Sequence, residues 1–417
     1  MRHPLDFPPY TRLELNSFAG FTVRADFEGG ALSSDFGPLL LRGVDQQIGL
    51  IHRLAQAIHD GRHASYIDHS MEDLLTQRIF QIACGYADAN DANALRRDPV
   101  FKLGAERLPL EAEQDLASAP TFSRLENAAN TRDLYRLAEA FVEQFVASYA
   151  KPPEIIVLDM DHAEDQTHGQ QELAFYNHHY QSHCYLPLFL FEGLSGKFIT
   201  AALRPGKRPK GAENAMILKR VLKRLRQHWP ETRILLRGDG HFANVELMQL
   251  ALDDPYTDFL FGLAGNSRLK RLPEPHLEHT RRLHETRCHN ARLAEQEPPQ
   301  RSRTFHELDY QARSWPQAFR TVLKAEVMGL GDNPRFVVTS LEEPAPEMLY
   351  AELLQGTELS RAQPSTVIIK LFKLAVRVVQ YKDRIKLHLP SSCPVKALLH
   401  TITERLYRLP RPTPNTS

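Results

Sequence analysis

A mixed α/β sheet preceded by a helical domain is the fold class this sequence predicts, and three observations predict it. Apolar residues recur at helical spacing through residues 40–150, short apolar runs bounded by turns replace them after residue 155, and Lys151-Pro152-Pro153 breaks the chain between the two patterns. The 417 residues, 42% hydrophobic and 24% charged, suffice for two or three domains. They exclude a disordered tail protein, a collagen and a coiled-coil rod. No apolar run approaches the ~18 residues of a membrane span, and the start Met1-Arg2-His3-Pro4-Leu5-Asp6 lacks the apolar stretch of a secretory signal. Four cysteines (Cys84, Cys184, Cys288 and Cys393) make no disulfide framework. The expectation is a cytoplasmic protein with no membrane partner.

In the N-terminal domain, taken as residues 1–150, Leu39-Leu40-Leu41, Val44, Ile48 and Leu50-Ile51 keep near-helical spacing, as do Met71, Leu74-Leu75, Ile79 and Ile82. Ser123 followed by Glu126 resembles a capping box, and a long helix is expected from Arg132 to Tyr149. After the break, Ile155-Ile156-Val157-Leu158-Asp159 is an apolar run ending in an acid, the pattern of a central strand. Tyr185–Phe191 and Phe198–Leu203 are two more strands, and the turn between them is too short for a helical crossover, so they pair antiparallel. A basic helix follows, with Ala215, Ile217, Leu218, Val221, Leu222 and Leu225 on its apolar side. Then come a strand Ile234–Leu236 running into Arg237-Gly238-Asp239-Gly240, a helix Ala243–Leu252 and a strand Phe259–Leu263.

The order β-β-β-α-β-α-β is that of a ribonuclease H-like domain, in which the first and fourth strands are neighbours. Residues 265–303, polar and rich in His and Arg, read as loop or frayed helix. Thr304–Gln311, Arg320–Val327 and Arg335–Leu341 read as a small β insertion at about 304–341. Thr366–Arg377 reads as a helix or a buried strand, and Pro410–Ser417 as disordered.

The formal net charge is zero, yet residues 1–200 hold 16 basic and 28 acidic side chains while residues 201–417 hold 35 and 23. Eleven Lys and Arg crowd between Arg204 and Arg237, and ten between Lys370 and Arg411. Such stripes are the footprint expected of a protein that binds a phosphate backbone. They are equally the footprint of a solvated helix face that answers an acidic N-terminal half.

Asp159 and Asp161 stand two apart at the end of the first strand, so strand alternation points both to one face, and Asp239 ends the fourth strand. Carboxylates gathered in a dry pocket call for a cation, and oxygen ligands suit Mg²⁺ or Mn²⁺. Two such ions activate water or a 3′-hydroxyl and stabilise the leaving oxygen in phosphodiester chemistry. Ile156-Val157-Leu158-Asp159-Met160-Asp161-His162-Ala163 also resembles the nucleophile strand of haloacid dehalogenase-like phosphatases, with Asp159 as nucleophile and Asp161 as general acid. Ala163 breaks that motif, and a helix rather than a strand would have to follow. His276, His279, Cys288 and His289 match no familiar zinc spacing and read as an Arg-rich loop that holds histidines.

Asp159-Met160-Asp161-His162-Ala163-Glu164-Asp165 with His168-Gly169-Gln170-Gln171 resembles the first catalytic block of a bacterial insertion-sequence transposase family, DDE domain group 1. The resemblance continues through Asn177-His178-His179-Tyr180, Leu203-Arg204-Pro205-Gly206, Arg237-Gly238-Asp239-Gly240-His241-Phe242 and Asn333-Pro334-Arg335-Phe336-Val337-Val338-Thr339. Upstream, Gly85-Tyr86, Leu95-Arg96-Arg97-Asp98-Pro99 and Phe122-Ser123-Arg124-Leu125-Glu126-Asn127 also match, so coverage runs from about residue 20 to 350. The resemblance implies a ribonuclease H-like core spanning 151–350, whose acids hold Mg²⁺ or Mn²⁺. Such a protein cuts the ends of an insertion element and joins them to target DNA. It further implies double-stranded DNA as partner, at both element ends and target, bound by a homodimer. Matched residue by residue, the second acid is Asp239. The first is Asp161 by the usual Asp-x-Thr pattern, with Asp159 the alternate. Arg204, Lys207, Arg208, Lys210 and Arg237 are the DNA-contact candidates, and the N-terminal domain is a possible reader of element ends.

Beyond Leu349-Tyr350 the sequence departs from the family. The block that carries the third acid is replaced by Ala351-Glu352-Leu353-Leu354-Gln355-Gly356-Thr357-Glu358, followed almost at once by sequence the family holds further on. This reads as an internal deletion near residues 351–365, leaving a truncated basic segment at 351–417. Glu358 is the first candidate for the third acid and Glu352 the next. A chain lacking that acid would be inactive, a non-catalytic DNA-binding remnant.

Overall fold

A computed structural model describes residues 12–19, 21–266, 268–329, 331–343, 345, 347–348 and 372–408. The chain divides into two compact units, one of Met1–Leu134 with Ala362–Ser417 and one of Tyr135–Arg361.

The first unit opens with strands that the helical reading of residues 1–150 did not include. β1 (Arg12–Phe18) and β2 (Phe21–Asp26) form an antiparallel hairpin, and β3 (Ala31–Ser33) follows. The helices α1 (Gly37–Ile48), α2 (Leu50–Ala57), α3 (Met71–Ala83), α4 (Ala92–Leu95), α5 (Pro99–Gly104) and α6 (Ala119–Ala128) come next, then α7 (Thr131–Ala147). The capping box lies at Ser70 and Asp73, ahead of α3, each side chain accepting the other's backbone N–H. Ser123, the expected cap, lies inside α6, which starts four residues earlier at Ala119. The division between units falls within α7 rather than at the Lys151-Pro152-Pro153 break, because Val142 and Phe145 are part of the second unit's core.

The second unit is built on one nine-stranded sheet. β4 (Ile155–His162) leads, and β5 (Asp165–Gln166), β6 (Phe175–Asn177) and β7 (Ser182–Tyr185) form a small separate sheet. β8 (Leu188–Glu192), β9 (Phe198–Ala202), α8 (Gly211–His228), β10 (Arg233–Gly238), α9 (Val245–Leu252) and β11 (Thr257–Leu263) complete the order expected from sequence. Across the sheet the order is β9-β8-β4-β10-β11, with β10 parallel to both β4 and β11 and β8 antiparallel to β4. The β8–β9 turn is held by Glu192, buried, which accepts backbone N–H groups from Val157, Leu194 and Ser195.

Two expectations are corrected downstream. Residues 265–303 hold a twenty-residue helix, α10 (Glu274–Leu293), which packs on the strands that follow. Its buried stripe is only Leu277 and Thr280, too thin to show as apolar periodicity in so polar a segment. The three later strands, β12 (Arg301–Tyr310), β13 (Phe319–Met328) and β15 (Arg335–Thr339), with a short β14 (Gly331–Asp332), do not form an independent element. β15 pairs antiparallel with β11, so all of them extend the main sheet.

Side-chain alternation gives this sheet two unlike faces. Ile156, Leu158 and Met160 of β4, with Ile234 and Leu236 of β10, belong to the large core beneath α8 and α9. Val157, Leu235, Leu260, Val322 and Val337 make a smaller cluster on the other face.

The chain then re-enters the first unit. β16 (Val376–Gln380) pairs with β3 and with β17 (Ile385–His388), and α11 (Lys396–Arg408) packs on α1. Val376, Val378, Cys393 and Leu399 share a core with Phe36, Leu40 and Val100. Residues 366–371 of the expected helix or strand, and the whole of 410–417, lie outside the described residues.

The anchor of this return is polar. Asp35, fully buried, accepts from Tyr86 Oη at 2.8 Å and Ser34 Oγ at 2.7 Å, and its Oδ1 meets Lys373 Nζ at 2.9 Å. Burial lowers the Lys373 pKa, but the bonds to Tyr86 and Asp35 outweigh it and hold the ammonium above its usual range. Lys373→Met leaves a buried carboxylate without its cation, at an expected cost of about 3 kcal/mol, read as a lower urea midpoint. Arg384→Met, which removes only exposed contacts with Asp383 and the Tyr381 ring, is expected to leave that midpoint nearly unchanged.

Candidate active site

Register decides which carboxylates meet. In the parallel pairing of β4 with β10, Asp159 lies opposite Arg237 and Met160 opposite Gly238, so Asp161 and Asp239 leave adjoining strand ends at the same level. The C-terminal ends of parallel strands are where ligand sites form in such sheets. Asp159, Asp161 and Asp239 all line one cavity of 770 Å³, together with Arg208, Arg237, His241, Lys324, Asn333 and Arg335.

The two acids of β4 have different surroundings. Asp159 is locked to Arg237, its Oδ1 to Nε and its Oδ2 to Nη2 at 2.6 Å, and the Arg237 side chain is 3% exposed. Gly193 makes room for this pair: a Cβ there would stand 2.3 Å from Arg237 Nη2 and 2.7 Å from Asp159 Oδ2. With both oxygens engaged by a buried guanidinium, Asp159 is a structural ion-pair partner. That removes it as a phosphatase nucleophile, as does the continuation of the chain into β5, β6 and β7 instead of a helix. Arg237, expected at the DNA surface, is buried for the same reason.

Asp161 points past this pair into the cavity. Burial raises its pKa above the usual carboxylate value, and the nearby charges of Asp239 and Asp159 raise it further, against the lowering effect of the His162 backbone N–H and of His241. Asp239 is oriented by His241, whose backbone N–H donates to Oδ1 at 2.9 Å and whose Nδ1 lies 3.1 Å from Oδ2. Gly262 on β11 allows the Asp239 turn to pack against it, since a Cβ there would lie 3.2 Å from the Asp239 carbonyl carbon.

A cation would relieve this crowding, and two oxygen donors of this type fit Mg²⁺ or Mn²⁺ as part of a ligand set. No group of three His, Cys, Asp or Glu among the described residues is arranged to hold a metal ion. Glu352 and Glu358, the candidates for the third acid, lie outside the described residues. On α10, His276 meets His306 of β12 with ring centroids 4.0 Å apart and planes tilted by 34°, and His284 Nδ1 lies 3.1 Å from Ser302 Oγ.

The basic stripe turns out to be partly internal. Arg204 is buried, paired with Glu213 and 3.4 Å from His162 Nε2, which removes it from the DNA-contact set. Beside that guanidinium, burial and the Arg204 charge depress the His162 pKa to about 4. Arg224 pairs with Glu143, and Arg226 with Asp254 and the carbonyls of Trp229 and Thr232. Lys207, Arg208 and Lys210 remain exposed, Lys207 over the Phe175 ring at 4.0 Å and Arg208 on the cavity wall.

One charged group was not singled out from sequence. Glu326 accepts from Arg303 Nε, from Asn333 Nδ2 at 2.8 Å and from Lys324 Nζ at 3.2 Å. Burial pushes its pKa up, but these three donors outweigh it and bring it down to about 2. The available signal was Lys324 and Glu326 standing two apart on one face of a mostly apolar strand.

The family described as Transposase DDE domain group 1 matches residues 16–356 and 351–411, most of the chain. The chain belongs to that family. Its two matched stretches overlap at 351–356. Among solved structures, this family member is similar to a piggyBac transposase synaptic complex with hairpin DNA, determined by cryo-EM, at 13% identity and a TM-score of 0.40. The likeness covers 78% of this chain and 67% of that one. No curated protein matches this transposase sequence. No helix among its described residues is long and apolar enough to cross a membrane.

Two outcomes follow from the unequal environments of the acids. Asp159→Asn removes the charge that holds both Nε and Nη2 of buried Arg237 and is expected to lower stability by about 3 kcal/mol, whereas Asp161→Asn relieves like-charge repulsion and leaves the urea midpoint unchanged or slightly higher. The stability contributed by Glu326 is present above pH 4.5 and lost as pH falls from 4.5 to about 2. Glu326→Gln is accordingly expected to be less stable at pH 7 and to lack that part of the acid decline, measured by urea midpoints across the pH series.

Proposed function

We propose that this chain is a DNA transposase that cuts the ends of an insertion element and joins them to target DNA, with Asp161 and Asp239 as its two described catalytic acids. The observation that carries the reading is the meeting of these two side chains at adjoining parallel strand tips, in a cavity whose other wall is cationic. The strand order and directions of β9-β8-β4-β10-β11 support a ribonuclease H-like core. In this reading residues 135–361 are the catalytic unit, and the first unit reads the element ends.

Asp161 and Asp239 would hold Mg²⁺ or Mn²⁺, which when bound activates water or a 3′-hydroxyl and stabilises the leaving oxygen. The rest is the chain's own work. Burial and the neighbouring carboxylates raise the Asp161 pKa, and a cation held beside it would relieve that cost. His241 fixes the direction of Asp239, in the way that outer hydrogen bonds orient ligating carboxylates. Arg237 binds Asp159 and so keeps a third negative charge from competing for the same space. Lys207, Arg208 and Lys210 supply contacts to the DNA backbone. DNA bound in this way engages a homodimer, one subunit for each element end.

A second reading is a DNA-binding derivative without catalysis. It is favoured by the overlap of the two family matches at 351–356, as an internal deletion of the third-acid helix would produce.

The experiment uses labelled duplex carrying the ends that flank the chain's own coding sequence. The transposase reading expects nicking at the 3′ ends with Mg²⁺ or Mn²⁺, lowered at least about a thousandfold by Asp161→Asn or Asp239→Asn. Salt-sensitive binding with no cleavage under either metal is the outcome of the second reading, and nicking that persists in Asp239→Asn would remove the site assignment.

A further inference from the structure

We propose that Lys324 and Arg335 form an anion-binding shelf that seats a phosphodiester of the bound DNA, next to the bond that Asp161 and Asp239 act on. The proposal rests on the transposase reading and deepens it. Lys324 on β13 and Arg335 on β15 are direct cross-strand partners, and both line the cavity that holds the acids. Like charges placed directly opposite each other destabilise a sheet, so their presence here calls for a negative partner.

Glu326 answers Arg303 and Lys324, from both of which its carboxylate accepts, but among the described residues it makes no direct bond to Arg335. Lys324 itself is 8% exposed, a burial lysine tolerates only when paired. Arg335 is exposed, and among the described residues its polar partner is Asn333, whose Oδ1 accepts from Nε at 3.0 Å. Asn333 is fixed in turn by donating to Glu326. The chain Glu326–Asn333–Arg335 thus sets the direction of the guanidinium fork before any ligand arrives. A planar fork held in place matches two phosphate oxygens, and pre-ordering removes part of the entropy cost of binding.

Position distinguishes this phosphate from the reacting one. Only β11 separates β15 from β10, which puts the shelf strand about 10 Å from the nearest acid-bearing strand at ~4.8 Å per strand. The acids repel an anion and the shelf attracts it, so a DNA strand entering the cavity is held by a flanking phosphate with its reacting ester turned toward Asp161 and Asp239.

Binding of full-length protein to the element-end duplex, followed by fluorescence anisotropy in metal-free buffer over 50–200 mM salt, tests the shelf. Each phosphate contact contributes about 0.9 to the slope of log K against log salt. Arg335→Ala is expected to lower that slope by about one unit and weaken binding roughly three- to tenfold, with Arg335→Lys restoring most of the slope. An unchanged slope and affinity in Arg335→Ala would overturn the shelf. Because Arg335 is exposed, that variant should fold, and Lys324→Met, checked by its melting temperature, serves as a second probe. If the wild-type protein binds no duplex at all, the transposase reading fails and inorganic phosphate decides the shelf separately. A melting temperature raised by millimolar phosphate in wild type but not in Arg335→Ala supports an anion site for free phosphate, and no rise in wild type ends the proposal.

Discussion

The parallel register between β4 and β10 is the constraint on which the site depends. It sets Asp159 against Arg237 and, two residues further along both strands, brings Asp161 level with Asp239. A slip of one residue would reverse the facing of every side chain on β4, sending Asp159 and Asp161 into the helix-covered core and Leu158 and Met160 out. The apolar residues on both faces of β4 and β10 make that slip costly. The core therefore does more than stabilise the sheet: it holds the carboxylates in register.

Within that frame, charge is sorted by what surrounds it. Three aspartates line the cavity, but one is neutralised by a buried arginine and two face open space. On the opposite wall Lys324 and Arg335 stand directly across from each other, and Glu326 is bonded to Lys324 but not to Arg335. The same chain thus presents oxygen donors suited to a divalent cation and nitrogen donors suited to a phosphate within one cavity. Under the proposed function this juxtaposition is intelligible, because a phosphodiester substrate would call on both.

The first unit shows how little chain order says about which segments fold together. Residues 372–408 return to the N-terminal unit across more than two hundred intervening residues. They supply part of its core and the lysine that pairs with buried Asp35. Of the segment read as truncated and basic, residues 372–408 are an integral part of that unit. Its basic residues are partly engaged there, Lys373 above all.

Some of this molecule was determined by sequence alone. The order of the main-sheet strands and their helices from residue 155 to 263 was legible, though not the small sheet of β5, β6 and β7, because strands buried on both faces give continuous apolar runs and a short turn between two of them excludes a crossover. Asp161 and Asp239 were legible as strand-end acids from the same pattern. The helix at Glu274–Leu293 was not, since it buries too thin a stripe, nor was the joining of β12, β13 and β15 to the main sheet, which depends on a partner strand far away in the chain. Only the tertiary structure separated Asp159 from Asp161, and it did so through an arginine 78 positions distant. It likewise turned Arg204 and Arg237 from surface candidates into buried partners. Local pattern reports which faces of an element are apolar, whereas the fate of a charge is set by whichever opposite charge the folded chain brings beside it, and that partner leaves no trace in neighbouring sequence.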